Sequence, residues 1–253
     1  MQVRVLSFGV LKDWLGSPAA TVELPEGATV ADLLERFGRS HPEPLLRGIA
    51  VSVNAEYAAA AQVLHEGDEV GLLPPVSGGT ARPGDAPTAD LSGENEESSS
   101  LVTALTREPI DAERVVAAAR RGEDGAVVIF DGIVRNNSRG RQTLYLDYEA
   151  YSELAARQMR ELIEEAIKRF GVRDARIIHR LGRLEVGETS VLIVVCAAHR
   201  GPAFEACRWL IDTLKKTVPI WKKETFADGS VWADGEPFPA GMAVAPPEAS
   251  HES

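Results

Sequence analysis

Residues 80–100, TARPGDAPTADLSGENEESSS, constrain this chain more than any other stretch. They hold five acids against Arg82 alone, with proline, glycine and serine between them. Almost nothing there can be buried, so the segment is expected to be a disordered, solvated linker. It splits the 253 residues into a small N-terminal unit, 1–79, and a larger one, 101–236, leaving 237–253 as an expected loose tail. No internal repeat relates the two units. Both have enough apolar sequence for a core, since 44% of the chain is hydrophobic. The net charge of −11 argues against a general nucleic-acid or anionic-membrane binder, yet leaves room for a local basic pocket. Cys196 and Cys207 give no disulfide framework, and the five histidines lack metal-ligand spacing, so no metal is expected. The start, MQVRVLSFGV, carries Arg4 inside its apolar run and lacks a signal-peptide core. No apolar run approaches the roughly 20 residues that span a bilayer. A soluble cytoplasmic protein is expected.

The N-terminal unit reads β-β-α-β-β. QVRVLSF alternates Val3, Val5 and Ser7 against Arg4, Leu6 and Phe8, and ATVEL is a second strand. Thr29 with Asp32 forms a capping pair that opens a helix with a Val30, Leu33, Leu34, Phe37 stripe. IAVSVN and DEVGLLPP are later strands, the last stopped by Pro74-Pro75. A sheet crossed by one helix in this length suggests a β-grasp, ubiquitin-like domain.

The C-terminal unit alternates helices and strands as an α+β domain. Asp111–Arg121 reads as helix, and GAVVIFDGIVR as a strand interrupted at Asp131-Gly132. TLYLDYEA is a further strand, and Ser152 is the expected cap of a long helix through Phe170. ARIIHRLG and TSVLIVVCAA are strands. GPAFEACRWLIDTLKK is a helix with Pro202 in its first turn and an expected buried stripe of Phe204, Cys207, Leu210, Ile211 and Leu214. Pro219 stops it, and WKKETF follows as an extended segment. Cys196 and Cys207 fall in apolar patterns and read as core residues.

Three basic clusters carry the candidate chemistry. Only six of the 27 basic residues are lysines, and four of them, Lys215, Lys216, Lys222 and Lys223, fall within nine residues. Lysines at a helix end complement its dipole and can simply face water. Crowded ammonium groups also lower one another's pKa, which favours a nucleophilic or proton-accepting lysine. His199 and Arg200 follow an apolar strand and precede the Pro202 helix, where free N–H groups and a guanidinium fork suit a phosphate. Arg135, Arg139 and Arg141 leave a strand through an Asn-Asn-Ser turn and read most simply as a solvated hairpin tip. No dinucleotide glycine motif, Walker loop or nucleophile elbow occurs.

Taken together, these stretches resemble one family. VNAEYA, LHEGDEVGLLPPVSGG and the closing Gly78-Gly79 resemble the small, sulfur-carrying subunit of molybdopterin synthase. DGAVVIFDGIVRNNSRG, IIHRLGRLEVGE, AAHRGPAFEA and LKKTVPIWKKE are similar to its large, catalytic subunit, of the α/β hammerhead type. The chain therefore resembles a natural fusion of both subunits. The resemblance implies a sulfurtransferase of molybdenum cofactor biosynthesis. A thiocarboxylate on the small subunit's terminal glycine enters a pocket on the large subunit. There it delivers sulfur in two rounds to cyclic pyranopterin monophosphate, giving the dithiolene of molybdopterin. Glycines suit such a tail because they thread a narrow channel.

Carried over by motif, Lys215 and Lys222 are the catalytic lysines. Arg135, His199 and Arg200 hold the pterin phosphate, Lys223 supports the anion, Lys222 and Glu224 belong to the substrate-binding set, and Phe130 lines the pocket. The resemblance implies no tightly bound cofactor. The implied partners are a second copy, paired through the catalytic domain with His-Arg contributed across the dimer; its own or a released β-grasp unit; and an enzyme that adenylates and sulfurates the Gly-Gly tail. Nucleic acid and membrane are not among them. One departure matters, because Gly79 is amide-bonded to Thr80 and has no free carboxylate. Either scission after Gly79 frees the carrier, or the fused unit is a non-catalytic assembly or regulatory module and a separate carrier brings sulfur. A third reading is that the C-terminal unit is a phosphate-ester hydrolase or an anion-binding protein.

Overall fold

The structure, a computed structural model, describes residues 1–40, 48–76, 102–233, 235, 238, 239 and 242. Gly78, Gly79, the 80–100 segment and most of 237–253 lie outside the described residues. Contacts divide the chain into two units, Met1–Gly78 with Trp232–Ser253, and Gly79–Val231.

The first unit runs β1 (Gln2–Ser7), α1 (Val10–Leu15), β2 (Ala19–Glu23), α2 (Val30–Ser40), β3 (Ala50–Val53), β4 (Glu56–Ala58) and β5 (Glu69–Leu73). Its five strands lie in the order β2-β1-β5-β3-β4, with β1 and β5 parallel at the centre and antiparallel partners outside them. This is the expected β-grasp arrangement, with α1 and β4 added. The alternation in β1 holds: Val3, Val5 and Ser7 are buried. The Thr29–Asp32 capping pair forms as a reciprocal set, Thr29 N–H donating to Asp32 Oδ2 at 2.7 Å and Asp32 N–H to Thr29 Oγ1 at 3.3 Å. Asn54 and Ala55 both take positive φ, 51° and 61°, so the β3–β4 hairpin closes in two residues.

The later part of the chain adds to this unit. Trp232 Nε1 donates to Asp13 at 2.8 Å, and Phe238 is 5% exposed, its ring edge-on to Tyr57 at 6.0 Å. Gly235 lies so close to the Pro75 backbone that a Cβ there would collide with the Pro75 carbonyl. The boundary expected at 236 from the family resemblance differs from the contact division, which falls before Trp232. Two aromatic anchors in a polar, Gly- and Pro-containing stretch left little periodicity to read.

The second unit runs β6 (Val102–Thr106), α3 (Ala112–Ala119), β7 (Ala126–Ile133), β8 (Asn137–Ser138), β9 (Arg141–Ala150), α4 (Ser152–Phe170), β10 (Asp174–Arg180), β11 (Gly182–Glu185), β12 (Thr189–Ala197), α5 (Arg200–Thr217), β13 (Ile220–Phe226) and β14 (Gly229–Trp232). One sheet has the order β6-β10-β12-β7; the other is β11-β9-β13-β14, with β8 paired to β9. Helices α4 and α5 cover one face of the first sheet, burying Met159, Ile163, Leu210 and Leu214 against Ile177, Ile193 and Val195. Helix α3 covers the other, packing Val116 and Ala119 on Leu192, Val194 and Cys196. Strands β10 and β12 are thus buried on both faces, which is why VLIVVC is continuously apolar rather than alternating. Among the described residues no helix is long and apolar enough to cross a membrane.

Three local expectations are corrected. Ser152 is the first helical residue, not the cap: Tyr151 holds that place, its N–H bonded to Pro219 O and its C=O accepting from Ala155. Strand β7 is not interrupted at Asp131-Gly132; the extra residue sits on the partner strand at Ser190, whose Oγ donates to Gly132 O at 2.7 Å. Phe204 is 61% exposed, because the stripe facing the sheet is Ala203, Ala206, Cys207, Leu210, Ile211 and Leu214. The small Ala203 and Ala206 let the start of α5 lie close to the strands, and Phe204, about 100° further round, is turned away.

Phe238→Ala is expected to lower the stability of the first unit by about 3 kcal/mol. Hydrogen exchange of the β3 and β5 amides checks this; unchanged protection would show that the Phe238 ring adds nothing to the unit.

Candidate active site

Strand β12 feeds directly into α5 through Ala198 and His199. His199 is the extended N-cap, φ −133°, and makes no side-chain capping bond. The first turn of α5 has no acid, and its N–H groups and positive dipole end face out beside Arg200. A pocket of about 500 Å³ lies there, lined by Gly125, Ala198, His199, Arg200, Gly201 and Pro202. Gly125 was missed in the sequence, where it reads only as the first residue of the apolar strand GAVVIFDGIVR.

The other end of α5 carries Lys215 and Lys216 in its last turn, followed by Val218, Pro219 and β13. In β13, Lys222 pairs with Tyr148 of β9, Lys223 with Asp147 and Glu224 with Leu146. Lys222 and Glu224 therefore share one face of the sheet with Tyr148, and Lys222 Nζ lies 3.2 Å from Glu224 Oε1. Lys223 is on the opposite face with Asp147. Of the four clustered lysines, Lys215 and Lys216 end α5, and the strand pleat sends Lys222 and Lys223 to opposite faces. Phe130, in mid-β7, packs partly buried against the core under α5, and Arg135 is exposed just beyond β7.

Arg200 and Lys215 are 15 positions apart on one helix, so their backbones lie about 22 Å apart. The structure does not bring His199 and Arg200 together with Lys215 and Lys222 in a single chain. Because α5 folds back over β12 and β7, its lysine end lies toward the Thr189 end of β12, the end where Arg135 leaves β7.

Beneath Lys222 is a buried polar group absent from the sequence reading. The Tyr148 phenol has its pKa pushed up by burial, opposed by a hydrogen bond with Ser190, with the Glu224 charge adding to the rise. His179 packs edge-on to Tyr148 at 5.1 Å, and its Nδ1 is 2.9 Å from Arg180 O. Burial lowers the pKa of His179 to about 4, against a weaker opposing effect of the Arg180 carbonyl. Burial likewise raises the thiol pKa of Cys207 to about 11 and that of Cys196 upward, in keeping with their place in the core.

Residues 105–217 match the MoaE protein family, and residues 5–79 match the ThiS family. The molybdopterin synthase catalytic subunit of Pyrococcus abyssi is 45% identical over 134 residues, covering 52% of this chain and 90% of that one. The chain belongs to the molybdopterin synthase catalytic subunit family. It adds a ubiquitin-like ThiS unit at its N-terminal side. Among solved structures, a molybdopterin synthase from Staphylococcus aureus is 38% identical, with TM-score 0.49, covering 51% of this chain and 93% of that one. SAMP1 from Haloferax volcanii is 32% identical, with TM-score 0.29, covering 31% of this chain and all of that one. In this family member, Arg200 stands at the start of α5 and Lys215 and Lys216 at its end.

Burial of His179 is expected to make this unit acid-sensitive. Its folded pKa lies below the ordinary 6.5, so between pH 6.5 and about 4 the unfolded chain binds the proton and the folded one does not. Stability is expected to fall by about 3 kcal/mol as pH drops through that window. His179→Phe should flatten this part of the curve; an unchanged slope in urea titrations across pH would contradict it.

Proposed function

We propose that this chain is a molybdopterin synthase carrying both halves of the reaction. After scission of the Gly79–Thr80 bond, a thiocarboxylate formed on the freed Gly79 carboxyl delivers sulfur, in two rounds, to cyclic pyranopterin monophosphate, producing the dithiolene and opening the cyclic phosphate. The observation that carries this reading is the presence, in one chain, of a ThiS unit whose match ends at Gly79 and a catalytic-subunit unit with paired basic poles. Lys215 and Lys222 act in sulfur transfer, one as acid/base or transient acyl acceptor. Glu224 holds Lys222 as an ion pair at 3.2 Å. Arg135 and Phe130 complete the substrate pocket, Lys223 facing the other side of β13 from Lys222, and no tightly bound cofactor takes part.

His199 and Arg200 receive the phosphate at the other pole. A separation of about 22 Å along α5 exceeds the reach of one small substrate, so the complete site needs a second copy. The apolar surface supports that reading: β7 is an edge strand, and Ile129, Ile133 and Phe204 are 46%, 54% and 61% exposed. A homodimer through the catalytic unit covers them and sets His199-Arg200 of one copy against Lys215 and Lys222 of the other.

The Gly79–Thr80 peptide bond favours a second reading of the N-terminal unit, as a non-catalytic assembly or regulatory module fed by a separate carrier. Intact mass of protein from its native host separates the two. A species ending at Gly79 with an oxygen-to-sulfur mass increase supports the first; only full-length chain, active solely with added free carrier, supports the second. In the first case an adenylating and sulfurating enzyme is a further partner.

Lys215→Ala and Lys222→Ala should each abolish molybdopterin formation while keeping the fold; full activity in both would refute the assignment. Mixing Lys222→Ala with Arg200→Ala under subunit exchange should restore activity that neither variant has alone. Continued inactivity of the mixed dimers would argue for a site made within one chain.

A further inference from the structure

The loop between α3 and β7 forms one wall of the pocket at the start of α5, and its packing is unusual for an exposed turn. Gly125 N–H donates to Ala197 O at 3.1 Å. A Cβ on Gly125 would collide with the Ala198 carbonyl oxygen and lie 3.2 Å from its carbonyl carbon. The obstacle is backbone, so it cannot be relieved by a side-chain rotation. Only a residue without a Cβ lets this loop abut the peptide that leads into His199 and Arg200.

The preceding residue fixes the loop in place. The Asp124 carboxylate is buried and accepts from Arg173 Nε and Nη2, both at 2.6 Å, and from Arg121 N–H at 2.7 Å. Arg173 Nη2 also donates to Ala119 O at 2.6 Å, and its backbone N–H to Cys196 O at 2.9 Å. One two-pronged ion pair therefore joins the end of α3, the loop, the start of β10 and the last residues of β12. Such a pair is directional as well as strong. The Arg173 guanidinium holds the Asp124 carboxyl below its ordinary pKa.

We propose that Gly125, locked by the Asp124–Arg173 pair, is a positioning residue that sets His199, Arg200 and the first N–H groups of α5 for the substrate phosphate. This rests on the reading of that pocket as the phosphate site. Gly125 and Asp124 touch no substrate atoms in this account. They fix the Ala198–His199 peptide, and with it the direction of the anion-binding groups.

The test uses the full-length chain with a free thiocarboxylated carrier. It measures KM and kcat for cyclic pyranopterin monophosphate and the inhibition constant of inorganic phosphate. Gly125→Ala is expected to raise both KM and the phosphate inhibition constant about tenfold, as displacement of a positioning group does, with kcat nearly unchanged. Arg173→Lys keeps the charge but loses the fork, and should move the same two constants in the same direction by less. If Gly125→Ala does not fold, Arg173→Lys decides alone. Unchanged constants in the folded variants, or a fall in kcat with KM kept, would overturn the proposal. Arg200→Ala separates the two levels. If it raises KM while Gly125→Ala does not, the positioning role fails and the phosphate site stands. If it changes neither KM nor phosphate inhibition, the phosphate site itself fails.

Discussion

Strand β12 is buried along almost its whole length because α4 and α5 press on one face of its sheet and α3 on the other. Its side chains from Val191 to Ala197 have no solvent-facing row, and each buried aliphatic contributes about 1.5–3 kcal/mol. A strand fixed this firmly delivers its next residues, Ala198 to Arg200, in one place. Helix α5 must then start at the strand end and return across β12 and β7. That return separates the two basic poles, puts the lysines beside the Pro219 turn, and leaves the β7 edge uncovered. The arrangement of charge follows from the packing of apolar residues.

Much of this was legible in the sequence. The period of two in β1, the Thr29–Asp32 pair and the stripe of α2 are local signals, and they formed as read. The same holds for β12 and α5, whose lengths and apolar runs mark them. What escaped depended on partners distant in sequence. Ser152 has the chemistry of a cap, but Pro219 fixes the turn at Tyr151 instead. Phe204 has the right spacing for the stripe, but the close approach of α5 to the sheet selects Ala203 and Ala206. Lys222 and Lys223 are adjacent in sequence and on opposite faces in β13, which becomes certain only once the segment is known to be a strand. The group under Lys222, Tyr148 with His179 and Ser190, comes from three separate strand regions and has no sequence signature.

On the proposed reading, a strongly acidic chain holds an anionic substrate. With a net charge of −11, long-range attraction for a phosphate is absent. Local devices must do the work: N–H groups at a helix start, a guanidinium, and lysines at a helix end. Several other basic groups are taken up structurally. Arg141 pairs with Asp228 and lies over the Phe226 ring, Arg180 pairs with Glu188, and Arg173 with Asp124. Arg141, Arg173 and Arg180 thus brace the scaffold, while Arg200, Lys215 and Lys216 stand at the two ends of α5.

On the proposed chemistry, covalent linkage of carrier and catalyst acts in opposing directions. A tether raises the local concentration of the carrier at the catalytic unit. Each product takes two sulfurs, however, and a carrier that has delivered its sulfur must leave to be recharged or be replaced by another. A tether that favours the first encounter slows that exchange. The carboxylate chemistry points the same way, since Gly79 has no free acid while it is bonded to Thr80. Recharging and turnover therefore place the same demand on one peptide bond. Cutting it satisfies both, whereas leaving it intact makes the N-terminal unit a fixture of the assembly and moves sulfur supply to another chain.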